Sequence, residues 1–329
     1  MPWVMRRIVT FAGLAGLAGL AACDETASAH SSKAAAMPDS SALAQRSAQF
    51  AQRLAAPDSE ATLGGAVARW IMPEQLKEIS GLVLTDDGRL LGHGDEHAHV
   101  FEIDYRRGVL VKEFTLESGG TPVKGDFEGI TTANGSVILF TSDGKLYQFK
   151  EGPDGAKLDF TMTDTHLGAQ CEFEGVTFEK PTGSLLLACK KVKDKKDKDF
   201  VVIYKWKLGA DSSGRASKMT VPLADAIGSN EWDGLHPSDI TIDPFNGNYV
   251  LIASRESAMF EVTPAGKVVF SRPLPGVHAQ AEGIAITKDS LLIISDEAAA
   301  KNAKPDLHPH RVPDDGTHRP AYVTVYRWP

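Results

Sequence analysis

The stretch HPSDITIDPFNGNYVLIASRESAMFEVTPAGKVV occupies residues 236–269 and contains four short apolar runs separated by turns. The runs are three to five residues long, and Asn-Gly and Ala-Gly pairs lie between them. Short runs rich in β-branched and aromatic residues, bounded by such turns, are typical of antiparallel strands. The stretch therefore predicts one four-stranded antiparallel sheet.

The same pattern occurs five times after residue 64, and each copy begins with Ser or Glu followed by Gly or Asp. The five starts are Ser80-Gly81-Leu82, Glu128-Gly129-Ile130, Glu174-Gly175-Val176, Ser238-Asp239-Ile240 and Glu282-Gly283-Ile284. A four-strand unit with a period of about 45 residues indicates a β-propeller blade. Long helical periods are absent, so the sequence predicts an all-β fold.

The last repeat lacks a fourth strand because the sequence ends at Pro329. The apolar segment 66–72 precedes the first repeat and can supply that missing strand, which also removes two free sheet edges. We therefore predict a five-bladed β-propeller that is closed by an N-terminal outer strand. Six blades are the alternative, and they would require a further blade within residues 207–236 or 299–320.

The N-terminus has the pattern of an export signal. Residues 1–7 (MPWVMRR) carry two arginines, residues 8–22 are small and apolar, and Cys23 follows Leu20-Ala21-Ala22. A basic segment followed by an apolar run of this length is typical of a secretory signal. The site before Cys23 resembles the lipobox of bacterial lipoproteins, which implies lipidation of that cysteine; an ordinary signal peptide is the alternative.

These observations predict three regions: a lipoprotein signal peptide at 1–22, a lipid-anchored tether at 23–60 and a β-propeller at 61–329. A short helix within residues 40–56 would be a weak docking element. The lipid on Cys23 would hold the protein at a membrane, facing the periplasm of the cell envelope. Asp24 slightly favours the inner membrane over the outer one. The chain has 43 acidic and 35 basic residues, and this acidic balance argues against a nucleic-acid partner.

Cys171 and Cys189 are the cysteines that remain after Cys23. An oxidising compartment permits a disulfide. Both residues fall in one predicted hairpin, but a two-residue turn at Pro181-Thr182 would place Cys189 opposite Glu174 rather than Cys171. The sequence alone therefore leaves the disulfide open.

The first strand of a propeller blade lines the central channel, so the first residues of the five repeats should form a ring at one channel mouth. This ring consists of Ser80, Glu128, Glu174, Ser238 and Glu282. Three converging carboxylates require a cation or protonation. Because the ring offers only oxygen donors, we expect Ca²⁺. The alternative is a set of glutamates paired with buried water, Lys190 and Arg255.

Other charged residues fall in loops at the same predicted face. Lys190 and Arg255 are candidates for binding a small anionic ligand beside the cation. If the protein is a hydrolase, the candidate water-activating groups are Asp95, Glu96, Asp143 and Asp296.

Several segments resemble known propellers. GDFEGIT (125–131), residues 236–269 and QAEGIAITKDSLLIISDE (280–297) look like the SdiA-regulated, YjiK-like family. That resemblance implies an exported or membrane-anchored propeller whose biochemical role is poorly defined. The order Ser, Glu, Glu, Ser, Glu and the segment 78–104 are similar to the calcium-activated nucleotidases, or apyrases, which implies a central Ca²⁺. Lys190-Lys191 departs from that family, which has arginines there.

The leading hypothesis is a lipid-anchored envelope propeller with a central Ca²⁺ that binds a small anionic ligand or an envelope protein. Whether it is an enzyme is open from sequence, and a Ca²⁺-dependent nucleotidase or phosphoesterase is the first alternative. A purely structural scaffold is the second, because fold and metal alone do not make a mechanism.

Overall fold

The computed structural model describes residues 38–56, 65–209, 216–298 and 320–329. The predicted signal peptide, the lipidation site at Cys23 and Asp24 lie outside these ranges and remain predictions. Within the described residues, no helix is both long enough and apolar enough to cross a membrane.

The first described element is helix α1 (Ser40–Ala55), followed by strand β1 (Ala68–Ile71) and a 3₁₀ turn at Glu74–Leu76. Blade 1 contains β2 (Ile79–Leu84), β3 (Leu90–Gly94), β4 (His99–Asp104) and β5 (Val109–Ser118), with the short β6 (Thr121–Pro122) on β5. Blade 2 contains β7 (Phe127–Ala133), β8 (Ser136–Thr141) and β9 (Lys145–Phe149). Next come β10 (Ala156–Leu158), which pairs with β5, and β11 (Thr161–Asp164), the outer strand of blade 2.

The remaining three blades follow in chain order. Blade 3 contains β12 (Cys171–Glu179), β13 (Ser184–Val192), a 3₁₀ turn at Lys195–Asp197, β14 (Phe200–Lys207) and β15 (Ala216–Pro222). Helix α2 (Leu223–Ile227) leads to blade 4, which contains β16 (Asp239–Ile242), β17 (Tyr249–Ala253), β18 (Ala258–Val262) and β19 (Val268–Pro273). Blade 5 contains β20 (Ala281–Ile286), β21 (Leu291–Asp296) and β22 (Tyr322–Arg327).

Strand β1 closes the ring as the outer strand of blade 5. It pairs antiparallel with β22, from Ala68 opposite Val325 to Ile71 opposite Tyr322. The predicted five-bladed propeller and its N-terminal closing strand are thereby confirmed. Blade 2 takes its outer strand from β11 alone, which pairs with β9, because β10 leaves the blade to pair parallel with β5.

The core lies between neighbouring blades rather than at the centre. Five separate clusters of buried apolar side chains fill the five blade interfaces. At the interface of blades 2 and 3, for example, the rings of Phe140 and Phe173 lie 5.3 Å apart between centroids. Burial of each sheet face against the next blade holds the inner strands in a ring, and this arrangement fixes the channel.

Helix α1 packs on the propeller at the junction of blades 1 and 5, which confirms the helix predicted within residues 40–56. Asp39 caps it by accepting a hydrogen bond from the Ala42 amide at 2.8 Å. Phe50 is buried in the apolar cluster between these two blades. Arg46 donates to the carbonyl of Arg107 at 3.0 Å, and Arg327 donates to the carbonyl of Ala56 at 2.6 Å. The helix therefore lies against the face where the turns between third and fourth strands occur.

Candidate functional site at the channel mouth

Four of the five predicted ring residues lie at β-bulges near the start of an inner strand. Each of these residues is left without a partner in the pairing between the first and second strands of its blade. They are Ser80 between Ile79 and Gly81, Glu128 between Phe127 and Gly129, Glu174 between Phe173 and Gly175, and Glu282 between Ala281 and Gly283. A bulge adds one unpaired residue and redirects its side chain. The Ser/Glu-Gly pair of the repeat therefore marks the point where each inner strand turns a polar side chain out of its sheet.

The glycine after the bulge is required by close packing of the inner strands. A Cβ on Gly129 would lie 2.9 Å from Cγ1 of Val176 on the inner strand of blade 3. A Cβ on Gly175 would lie 2.8 Å from the Cα of Asp239 on the inner strand of blade 4. Any larger residue would push neighbouring strands apart, so the glycines keep the channel narrow at this level.

The three glutamates of the ring interact electrostatically, although they come from blades 2, 3 and 5. Burial raises the pKa of Glu128 to about 10, and the charges of Glu174, Asp126 and Glu282 add to this effect. Burial also raises the pKa of Glu282 to about 8, with Glu174 as the second cause. The side chains of Glu174 and Glu282 are buried. The structure therefore brings the predicted carboxylates together at one mouth of the channel.

Among the described residues, Lys190 is the cation that interacts with all three ring glutamates, and it lies among these carboxylates rather than on an outer rim. Its Nζ donates to Oε1 of Glu174 at 2.6 Å. Burial lowers the pKa of Lys190, but Glu174, Glu282 and Glu128 outweigh burial and raise it above its usual value. For Glu174, burial outweighs the pairing with Lys190, so its pKa is raised as well. One ammonium thus faces three carboxylates.

The register of the β12–β13 hairpin explains this ion pair. Gly175 pairs with Ala188, Phe173 with Cys189 and Glu172 with Lys191. Glu174 on one strand and Lys190 on the other are both skipped, so two opposed bulges turn the two side chains toward each other.

The same two bulges allow a disulfide between Cys171 and Cys189, whose Cα atoms are 5.8 Å apart. The register predicted from a two-residue turn holds as far as Gly175. It is wrong only at the two bulges, where Cys189 lies opposite Phe173 and not opposite Glu174, and it is restored where Glu172 pairs with Lys191. The disulfide that the sequence left open is formed, and it fastens the hairpin beside Glu174 and Lys190.

A second acidic group, largely missed from the sequence, lies beside the ring. Burial raises the pKa of Glu297 to about 7, followed by the charges of Asp95 and Glu78. Burial also raises the pKa of Glu78 and of Asp95. Gln280 donates to Glu297 and links this group to the loop that precedes β20. Glu297 directly follows the predicted residue Asp296, so its place after the second strand of blade 5 was the available signal.

The ring serines hydrogen-bond to main-chain groups. Ser80 Oγ donates to the carbonyl of Glu78 at 3.3 Å. Ser238 Oγ donates to the carbonyl of Ala281 at 2.7 Å and accepts from the Ser254 amide at 3.2 Å. Ser238 therefore fastens blade 4 to blade 5.

The other predicted site residues have separate surroundings. Arg255 is exposed and lies 3.8 Å from Glu256. Asp143 is exposed and pairs with Lys145, and Glu96 is also exposed. Asp296 is fully buried; it faces Nδ1 of His278 at 2.8 Å and accepts from the amide of Ala279 at 3.0 Å. The four predicted catalytic carboxylates thus do not share one environment.

Asp239 is a further residue of the site that sequence reasoning did not single out. It replaces the glycine of the repeat in blade 4, and its buried carboxylate accepts from the amides of Ile240 at 2.7 Å and Ile284 at 2.8 Å. The amide of Leu82 contributes as well, although burial still raises the pKa of Asp239. The carboxyl therefore joins the inner strands of blades 4, 5 and 1 directly below the ring.

The ring offers oxygen donors for a metal ion, but its side chains are not arranged around one point. Within the described ranges, no group of three or more His, Cys, Asp or Glu side chains could hold a metal ion as it stands. The ring nevertheless contains three carboxylates and two hydroxyls, which are the hard oxygen ligands that Ca²⁺ takes. The arrangement fits Ca²⁺ only if the ammonium of Lys190 leaves Glu174.

Comparison with known proteins gives no information on the site. No family model and no curated protein matches the chain. Solved structures with a similar arrangement include glutaminyl cyclase from Myxococcus xanthus, at 14% identity and a TM-score of 0.49, covering 79% of this chain and 94% of that one. A luciferin-regenerating enzyme gives 12% identity and a TM-score of 0.47, covering 79% of this chain and 95% of that one.

The PQQ-bound aldose sugar dehydrogenase from Streptomyces coelicolor gives 13% identity and a TM-score of 0.46, covering 78% of this chain and 98% of that one. The structures that resemble this chain are propeller proteins of unrelated families. None of these comparisons supports the resemblance to SdiA-regulated propellers or to apyrases, which remains a prediction.

Proposed function

We propose that this protein is an exported, lipid-anchored propeller whose acidic channel mouth binds a cation, with Ca²⁺ as the first candidate. The observation that carries this proposal is the convergence of three glutamates, two of them buried, on one lysine. Lys190 neutralises a single negative charge, and the pKa values of Glu128 and Glu282 are raised to about 10 and about 8. A cation among these carboxylates would favour their charged forms and offset the cost of burying them.

The donor set favours a hard divalent cation. Glu128, Glu174 and Glu282 would hold Ca²⁺, and Ser80 would add a hydroxyl oxygen. Ca²⁺ takes six to eight oxygens in flexible geometry, so waters would complete its shell. Bound Ca²⁺ would supply positive charge at the axis, and the chain's own part is to position the carboxylates through the bulges.

The charges around the mouth favour a cation over the anionic ligand expected from sequence. Glu78, Asp95 and Glu297 add further carboxyl groups near the ring. Arg255 is two-thirds exposed and pairs with Glu256, so it offers little positive charge to the mouth.

Export is supported by two features of different kinds. The sequence carries the basic segment, the apolar run and Cys23 that are typical of a bacterial lipoprotein. The buried disulfide between Cys171 and Cys189 is of the kind that persists in oxidising compartments outside the cytoplasm. Together they support a location in the cell envelope.

Thermal unfolding in chelator and in increasing Ca²⁺ tests the proposal. Ca²⁺ at a hundred times its Kd should stabilise the fold by about 2.7 kcal/mol, or roughly 5 °C in Tm. Glu128→Gln should abolish this rise, whereas the control Asp143→Asn, an exposed carboxylate paired with Lys145, should retain it. A wild-type Tm that is the same in chelator and in millimolar Ca²⁺ would contradict the proposal.

A further inference from the structure

A cavity of about 870 Å³ occupies the other end of the channel. It opens on the face where the turns between first and second strands lie, and its wall includes residues from all five blades. Val83, Thr131, Thr177, Thr241 and Ala285 line it at equivalent positions of the five inner strands. Cavities of about 300–1,000 Å³ are the size that binds small molecules.

Asp239 separates this cavity from the acidic mouth. Its two carboxylate oxygens hold the amides of Ile240 and Ile284, on the inner strands of blades 4 and 5, at 2.7 and 2.8 Å. The same carboxyl also interacts with the amide of Leu82 in blade 1. Leu82 and Ile240 line the upper end of the cavity, whereas Asp239 does not. The cavity is therefore a compartment of its own and not an extension of the ring.

Hydrogen-bonding residues line the cavity. Thr131, Thr177 and Thr241 come from three consecutive blades, and their hydroxyls make no hydrogen bond to another described residue. Each inner strand pairs with only one neighbour, so its other edge presents main-chain amides and carbonyls to the channel. These groups both donate and accept hydrogen bonds, while Val83 and Phe178 supply apolar wall.

The charged residues at the opening largely neutralise each other. Arg106 pairs with Asp289 at 2.6 Å. Lys180 of blade 3 pairs with Asp86 of blade 1, across the opening between two blades that are not neighbours. Arg89 pairs with Asp87 at 2.9 Å. Lys288 also lines the opening, but among the described residues the inner-strand positions of the wall carry no charged side chain. An ionic ligand bound at that level would therefore lose its hydration without gaining an ionic partner.

From these features we propose that the cavity is a second binding site, for a neutral, hydroxyl-rich small molecule of the size of a mono- or disaccharide. The threonine hydroxyls and the strand edges bind its hydroxyl groups, and the aliphatic and aromatic wall packs on its carbon skeleton. Buried polar groups that need partners reject a ligand without matching groups. The site does not depend on a cation in the ring.

Calorimetric titration with matched saccharides tests the proposal. The neutral probes are glucose, maltose and N-acetylglucosamine. Glucuronate and glucosamine are the charged monosaccharides with which they are compared. We expect at least one neutral probe to bind and the charged ones to bind at least tenfold more weakly. The double variant Thr177→Val and Thr241→Val, which keeps side-chain shape, should weaken the neutral probe by about tenfold or more.

Two controls keep the outcome interpretable. Thr161→Val changes an exposed threonine on β11, and Glu282→Gln changes the ring; both should bind the saccharide as the wild type does. Absence of binding by every neutral probe, equal binding of charged and neutral probes, or wild-type affinity in a folded double threonine variant would each overturn the proposal. Because none of these readouts involves Ca²⁺, failure here is distinguishable from failure of the cation proposal.

Discussion

The two ends of the channel are built from the same five inner strands, yet their chemistry is opposite. At the mouth, bulges turn glutamates toward one another, and burial raises the pKa of Glu282 to about 8. At the cavity end, the charged side chains lie on the turns and most of them are paired. Arg89 and Thr85, for example, lower the pKa of Asp87 to about 2. A one-residue bulge therefore determines whether an inner strand presents a charged side chain or only uncharged groups to the channel.

Replacing Asp239, which separates the acidic mouth from the cavity, should have the largest effect on the stability of the fold. Asp239→Ala would leave the amides of Ile240, Ile284 and Leu82 without their acceptor in a buried place. We expect a loss of about 3 kcal/mol or more in the free energy of unfolding, measured by urea denaturation. Asp239→Asn retains one acceptor oxygen and should lose less. Equal stability of Asp239→Ala and the wild type would show that the hydrogen bonds to Asp239 do not stabilise the fold.

Loss of the disulfide should weaken cation binding at the mouth and leave ligand binding in the cavity unchanged. Replacing Cys171 and Cys189 with alanine opens a loop with a sequence separation of 18 residues. We expect a loss of about 3 kcal/mol in stability and weaker Ca²⁺ binding, because Glu174 and Lys190 lose the fastening beside them. Saccharide binding in the cavity serves as the control and should be unchanged. Weakening of both sites would show that the two ends are coupled.

The raised pKa of Glu282 at the mouth should make the folded state less stable as the pH rises. The folded state holds the proton of Glu282 up to about pH 8, whereas its ordinary pKa is 4.5. The stabilising effect of this proton is complete below about pH 4.5 and is lost as pH rises toward 8. Without cation, we therefore expect Tm to drop by a few degrees between pH 5 and pH 8, and less so in Glu282→Gln.

Asp87 at the cavity end should change the stability in the opposite direction with pH, because its pKa is lowered rather than raised. Its lowered pKa contributes stability above pH 4 that is lost as pH falls toward 2. Asp87→Asn should therefore leave the profile between pH 5 and pH 8 unchanged. Saturating Ca²⁺ should flatten the wild-type profile in that range, and a profile that is flat without cation would argue against buried protonated glutamates.

Lys190 should compete with the cation for Glu174. Lys190→Gln removes the ammonium that lies 2.6 Å from Glu174, and we expect Ca²⁺ to bind about tenfold more tightly, the worth of one charged hydrogen bond. The matched control is Lys191→Gln, because Lys191 is exposed. Fluorescence or calorimetric titration measures both. Weaker Ca²⁺ binding in Lys190→Gln would mean that the lysine supports the site instead.

Sequence patterns predicted the blades and the ring because both depend on local features. The strand-turn repeat determines the five sheets, and the Glu-Gly pairs such as Glu128-Gly129 mark the inner strands. Helix α1 was also predictable from its apolar spacing, with Phe50 on the buried side.

Features that depend on register or on contacts between distant blades were not predictable. The disulfide required opposed bulges at Glu174 and Lys190, which shift the pairing of Phe173 and Cys189 by one residue before the register returns at Glu172. The position of Asp239 depends on amides from blades 5 and 1, far away in sequence. The grouping of Glu78, Asp95 and Glu297 likewise needs the ring to be closed, since it joins the first blade to the last.

The most direct test of the central claim is a calorimetric titration of Ca²⁺ into the wild type, Glu282→Gln and the double variant Thr177→Val and Thr241→Val. We predict one Ca²⁺ per chain in the wild type and in the threonine variant. Loss of a ring carboxylate should weaken binding by about 100-fold in Glu282→Gln. Absence of Ca²⁺ binding in the wild type, or equal affinity in Glu282→Gln, would contradict a cation site in the ring.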